Sequence, residues 1–103
     1  MIKNISGTEE FEKIITDNKK VLIDFWAPWC GPCKHVGYML DQIDTKDVVI
    51  AKVNIDEVEN RSLTEKFKIN SIPHLNLYID GNVANTLIGI TSKSNLEKFI
   101  AQQ

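Results

Sequence analysis

At 103 residues, with 43% apolar and 25% charged side chains, the chain is sized for one domain with one core, spanning residues 1–103. A net charge of −2 without any cluster of Lys and Arg offers a phosphate backbone nothing to hold, which excludes nucleic-acid binding. Apolar runs such as Val21–Ile23 are strand-sized, so no membrane span is expected, and MIKNISGTEE lacks the apolar stretch of a secretion signal, which points to the cytoplasm.

Thr8 reads as a helix N-cap, with Glu9 and Glu10 in a first turn where carboxylates meet the positive end of the helix dipole. Phe11, Ile14 and Ile15 keep helical spacing, and Lys19 and Lys20 close the segment. VLIDFWA, residues 21–27, is almost continuously apolar with one carboxylate inside it, the pattern of a central strand covered on both faces. The turn at Cys30–Cys33 leads into a second helix marked by Val36, Leu40 and Ile43. DVVIAKVNID is a further buried strand, and Leu63 and Phe67 mark a short helix around residues 58–67. IPHLNLYI and VANTLIGI flank Asp80–Gly81–Asn82, a hairpin signal. Thr91 or Ser92 caps a last helix that turns Leu96, Phe99 and Ile100 to the core, and Ile2–Ile5 adds a short edge strand. Alternation first and a hairpin later predict an α/β fold, a central mixed sheet flanked on both faces by about four helices.

The two cysteines, three positions apart, are the only ones in the chain. Structural zinc takes four protein ligands and catalytic zinc three. Cys30 and Cys33 supply two, His35 and His74 are not spaced as a second pair, and no metal is expected. A structural staple closing so short a loop removes little entropy from the unfolded chain. Redox chemistry remains. The attacking species is the thiolate, and a cysteine just before a helix faces unpaired N–H groups and the positive dipole end, which favour the anion. Pro32 suits the first helical turn, and Gly31 permits the tight turn that brings the sulfurs into bonding range. Cys30 is therefore expected at the helix mouth, exposed and nucleophilic, with Cys33 as the resolving thiol one turn inside. Pro28 and Trp29 wall the site.

DFWAPWCGPCK, residues 24–34, resembles the active-site segment of the thioredoxin family, and the likeness runs over essentially the whole chain. AKVNID, KINSIP and the DGN hairpin fall where that family has its lysine-bearing strand, its cis-proline loop and its terminal hairpin. The resemblance implies the thioredoxin fold and a monomeric protein-disulfide reductase without a bound cofactor. Its Cys30–Cys33 disulfide would be recharged from NADPH by a thioredoxin reductase and spent on disulfide-containing client proteins. It further implies that Asp24 is the buried general base behind Cys33, that Lys52 is its partner, and that Pro73 is the cis-proline facing the disulfide. Ile72 would offer its backbone to an incoming extended peptide, with Trp29 and the loop glycine Gly89 beside it. Pattern alone leaves other readings open: Asp24 as a capped edge residue, Lys52 as a strand residue reaching outward to water, Pro73 as an ordinary trans proline.

Three positions depart from the family pattern. Gly37 stands where a helix-kinking proline is usual, which predicts a straighter or looser helix and a less stable oxidised form. His35 reads as an exposed histidine without a role. His74 follows Pro73 where threonine is common. Strand alternation puts His74, Asn76 and Tyr78 on one face, and Leu75, Leu77 and Ile79 on the other. Polar side chains on a covered face need partners, and His74 and Asn76 can serve each other or a helix terminus. Two other functions stay open at this point. One is a binding module on the same fold whose redox activity is incidental. The other is an oxidising or isomerising relative, against which Gly31–Pro32 inside the motif counts.

Overall fold

The computed structural model of the chain describes residues 2–43 and 46–102. Five strands, β1 (Ile2–Ile5), β2 (Lys20–Trp26), β3 (Val49–Asn54), β4 (His74–Ile79) and β5 (Asn82–Ile88), form one sheet in the order β1-β3-β2-β4-β5. β1, β3 and β2 run parallel, while β4 and β5 run antiparallel to their neighbours. The helices are α1 (Gly7–Asp17), α2 (Gly31–Gln42), α3 (Arg61–Lys66) and α4 (Lys93–Ile100), with a 3-10 turn at Val58–Asn60 leading into α3. None of them is long and apolar enough to cross a membrane.

The apolar run of β2 explains its central place, since Val21 through Phe25 are all shut off from solvent. Alternation then sorts its side chains between two cores. Leu22 joins Ile50, Leu75 and Leu77 beneath α2 (Val36, Met39, Leu40) and α4 (Leu96, Phe99, Ile100). Val21, Ile23 and Phe25 join Ala51, Val53 and Tyr78 against α1 (Phe11, Ile14, Ile15) and Leu63 of α3. The rings of Phe11, Phe67 and Tyr78 stand 5.3–5.7 Å apart on this second side, two of the three pairs edge-to-face.

Several element ends differ from their sequence expectations. The N-cap of α1 is Ser6, not Thr8, and its hydroxyl does not cap. The Ser6 N–H instead donates to Glu10 Oε1 at 2.8 Å, and the Gly7 N–H donates to Oδ1 of buried Asn60 at 2.8 Å. Lys19 and Lys20 do not close α1, which ends at Asp17; Lys20 already belongs to β2, paired with Ile79. The helix expected over 58–67 divides at Asn60 into the 3-10 turn and α3. α3 ends with Lys68 in the left-handed region at φ 53°. The hairpin closes on two residues, Asp80 (φ 52°) and Gly81 (φ 84°), because Ile79 pairs directly with Asn82. Ser92 is the α4 cap, its Oγ accepting from the Asn95 N–H at 3.1 Å.

Candidate active site

Where β2 ends, Cys30 takes an extended backbone (φ −90°, ψ 106°) and becomes the N-cap of α2. Its Sγ accepts the Cys33 N–H at 3.1 Å, so one of the four orphan donors of the helix start is aimed at the first sulfur. Pro32 occupies the first turn, where its missing N–H leaves nothing unpaired. Cys30 and Cys33 form a disulfide with their Cα atoms 5.2 Å apart. Cys30 is not exposed as expected: 5% of it reaches solvent, against 1% of Cys33. Ala27 and the partly buried Trp26, Ile55 and Ile72 enclose the pair, leaving a sliver of the first sulfur's residue accessible. Gly31 is not sterically required either, because a Cβ there would meet open space and its φ is not left-handed.

Asp24 lies on the α2 face of β2, two residues from Leu22 and two from Trp26, the latter packed against the cysteine pair. It is completely buried, and neither carboxylate oxygen has a hydrogen-bond partner among the described residues. Burial pushes its pKa from 3.8 up to about 7, with the positive charge of Lys52 opposing the rise. Lys52 stands opposite Asp24 in the β2–β3 register. Its ammonium rests 4.3 Å from the centroid of the Trp26 ring, a cation–π contact. A Cβ on Gly37 would come within 3.6 Å of Lys52 Nζ, so the residue lacking a side chain lies directly over the lysine. α2 continues through Gly37 to Gln42 without a break.

At the rim, Trp29 is 69% exposed and its indole Nε1–H donates to Asp56 Oδ2 at 3.0 Å. Asp56 was missed in the sequence; its only signal was a carboxylate just past the end of the lysine-bearing strand. The Ile72–Pro73 peptide is cis. The Pro73 carbonyl accepts the Gly89 N–H at 2.9 Å, and Gly89 sits at φ 92°, a conformation that favours glycine. Ile88 and Ile90, flanking Gly89, are exposed. The structure therefore gathers Cys30, Cys33 and Ile72 in one cluster and ties Gly89 to Pro73.

On the opposite side of β4, His74 Nε2 lies 3.0 Å from Asn76 Oδ1, Asn76 Nδ2 donates to Tyr78 Oη at 3.2 Å, and Thr86 Oγ1 donates to Asn76 Oδ1 at 2.8 Å. The polar face predicted at His74 and Asn76 thus largely satisfies itself, except for His74 Nδ1, which is buried without a partner. Burial lowers the His74 pKa, and the Asn76 contact works against it. The Tyr78 pKa is raised, also chiefly by burial. His35 is exposed on α2.

The family model described as Thioredoxin matches residues 3–102. A thioredoxin of Mycoplasmoides gallisepticum is 34% identical over 101 residues, 96% of this chain and 99% of that one. A thioredoxin of Pseudomonas aeruginosa is 37% identical over 103 residues, covering 96% and 93%. Among solved structures, the oxidised thioredoxin of Plasmodium falciparum superposes with a TM-score of 0.85 at 35% identity, covering 97% of this chain and 95% of that one. A mutant thioredoxin from Halobacterium salinarum gives 0.88 at 29% identity, covering 96% and 87%.

Proposed function

The chain belongs to the thioredoxin family of thiol–disulfide oxidoreductases, and we propose that it works as a cytoplasmic, monomeric reductase of disulfides in other proteins. The observation that carries this reading is the disulfide at the mouth of α2, with the Cys33 N–H on Cys30 Sγ and an unpartnered carboxylate on the α2 face of β2.

In the reduced protein the Cys33 N–H and the positive helix end hold Cys30 as thiolate. The Cys30 thiolate attacks a client disulfide, forming a Cys30–client bond and releasing one client sulfur as thiolate. Cys33 gives its proton to the Asp24 carboxylate, directly or through one water, and attacks Cys30 Sγ. The Cys30–Cys33 bond forms, the second client thiolate leaves, and two electrons have passed to the client. A carboxyl group with a pKa of about 7 is matched to proton transfer near neutral pH. Lys52 keeps that value from climbing further. The client's extended chain lies against Ile72, Pro73 and Gly89 beside Trp29, where exposed Ile88 and Ile90 add apolar surface. A thioredoxin reductase returns the pair to the dithiol with electrons from NADPH, and the protein itself needs no bound cofactor.

The test is insulin reduction, first with dithiothreitol and then with NADPH and a thioredoxin reductase. Catalysed precipitation of the insulin B chain is expected in both. Insulin reduction no faster than with dithiothreitol alone would overturn the proposal.

A further inference from the structure

Asn60 is fully buried although it is an amide in a connecting segment, and every polar atom of its side chain is used. Oδ1 accepts the Gly7 N–H at 2.8 Å. Nδ2 donates to the Asn54 carbonyl at 2.9 Å and reaches Glu57 Oε1 at 3.4 Å. Glu57 Oε1 also accepts from Ser6 Oγ at 3.0 Å. One side chain thereby joins the β1–α1 turn to the end of β3, through a bond between Gly7 and Asn60 that spans 53 residues of chain. From Asn54 the connection continues outward: Asn54 Oδ1 accepts the Asp56 N–H at 2.9 Å, and Asp56 Oδ2 holds the Trp29 indole at 3.0 Å. Trp29 is the neighbour of the nucleophile and stands mostly in solvent, and the Asp56 carboxylate gives its indole a directional anchor.

We propose that Asn60 is a positioning residue for disulfide exchange, acting through Asn54 and Asp56 to fix the Trp29 indole against the incoming client. The inference rests on the reading of Trp29 as part of the client-binding rim. A purely structural amide would stabilise the fold without favouring one setting of an exposed indole. Here the fixed segment, Asn54–Asp56, is the one that carries the indole's acceptor. Without Asn60 the segment stays anchored to β2 through the Ile55 N–H on the Trp26 carbonyl at 2.9 Å, and the Asn54 carbonyl keeps only the Glu57 N–H at 3.2 Å, so the outer turn carrying Asp56 loosens and the indole with it. Client binding weakens while the sulfur chemistry, set by α2 and Asp24, keeps its pace.

Two readouts test this: the 15N–1H signal of the Trp29 indole, assigned with Trp29→Phe, and the kinetics of insulin reduction. Asn60→Ala is expected to move the indole signal towards its position in Asp56→Ala. It is also expected to raise KM for insulin about threefold or more, as loss of one orienting hydrogen bond does, with kcat little changed. Adding Asn60→Ala to Asp56→Ala should raise KM no further, because the clamp is already open. An unmoved indole signal, a fall in kcat at constant KM, or multiplying effects in the double variant would each overturn the inference. Should Asn60→Ala not hold its fold, Asn60→Asp retains the oxygen for Gly7 and removes the donor to Asn54 and Glu57, and the same outcomes decide. If the unaltered protein fails to reduce insulin, the activity reading falls, whereas the indole signal still reports whether Asn60 sets Trp29.

Discussion

Replacing Asp24 with asparagine removes the titration of a carboxyl group that the fold buries without a hydrogen bond. The rise from 3.8 to about 7 corresponds to about 4 kcal/mol of differential interaction between the protonated and ionised forms. The folded state holds this proton more tightly than the unfolded chain. Its stabilising effect is therefore complete below pH 3.8, erodes as pH rises towards about 7, and is gone above that. Urea unfolding of the oxidised wild type and of Asp24→Asn, from pH 3 to 9, isolates the effect, because all other groups cancel in the difference. The variant's stability relative to wild type should climb by about 4 kcal/mol across that window, at most about 1.4 kcal/mol per pH unit, and level off above it. An asparagine amide without partners shifts the whole difference curve but not its slope. Lys52→Met should push the upper end of the window above about 7, since Lys52 opposes the rise. A difference curve flat in pH would refute the raised pKa, and a variant resolving mixed disulfides at the wild-type rate would refute Asp24 as proton acceptor.

Cys33→Ser should accumulate mixed disulfides with insulin, visible on non-reducing gels, and brief alkylation of the reduced wild type should mark Cys30 before Cys33; the opposite order would reverse the two roles. Gly37→Ala should raise stability by up to about 1 kcal/mol in thermal melts, since the added methyl meets only the mobile end of Lys52 at ordinary contact distance, and a lowered melting temperature would show that Lys52 cannot yield. Lys68→Gly should add about 0.5–1 kcal/mol by relieving a left-handed lysine at the end of α3, less the entropy glycine returns to the unfolded chain; a destabilised variant would mean the Lys68 stem packs usefully.

The sheet's centre was legible because VLIDFWA has too few polar atoms to face water on either side, and β2 is buried through that run. The reactive turn was legible because Cys30, Gly31, Pro32 and Cys33 carry both a helix start and its chemistry in adjacent residues. What stayed hidden depends on contacts between distant segments. Thr8 resembled a cap by local rules, yet the start of α1 is fixed by Asn60. The near-complete burial of Cys30 comes from Ile55 and Ile72, which reach it from loops on other strands. No pattern marks Lys68 as the end of α3, because a lysine occupies the left-handed position where glycine would have announced it. The Asp56–Trp29 bond spans 27 residues and leaves no periodicity to detect.

Side-chain alternation along β2 accounts for the division of labour at the site. Val21, Ile23 and Phe25 commit one face to aromatic packing, where even His74 and Asn76 find partners. The other face carries Leu22, Asp24 and Trp26, and there the Asp24 oxygens and Trp26 Nε1 remain buried and unpaired. An aliphatic residue in place of Asp24 would pack with Leu22 and remove the penalty of a buried charge. In the proposed mechanism it would also leave Cys33 without an acceptor for its proton at the step that releases the client. Three of these atoms lie on the α2 side of the sheet, the side of the disulfide, while on the α1 and α3 side only His74 Nδ1 is left unpaired among the described residues. On that mechanism stability is given up on the face where turnover would depend on a group the fold otherwise excludes.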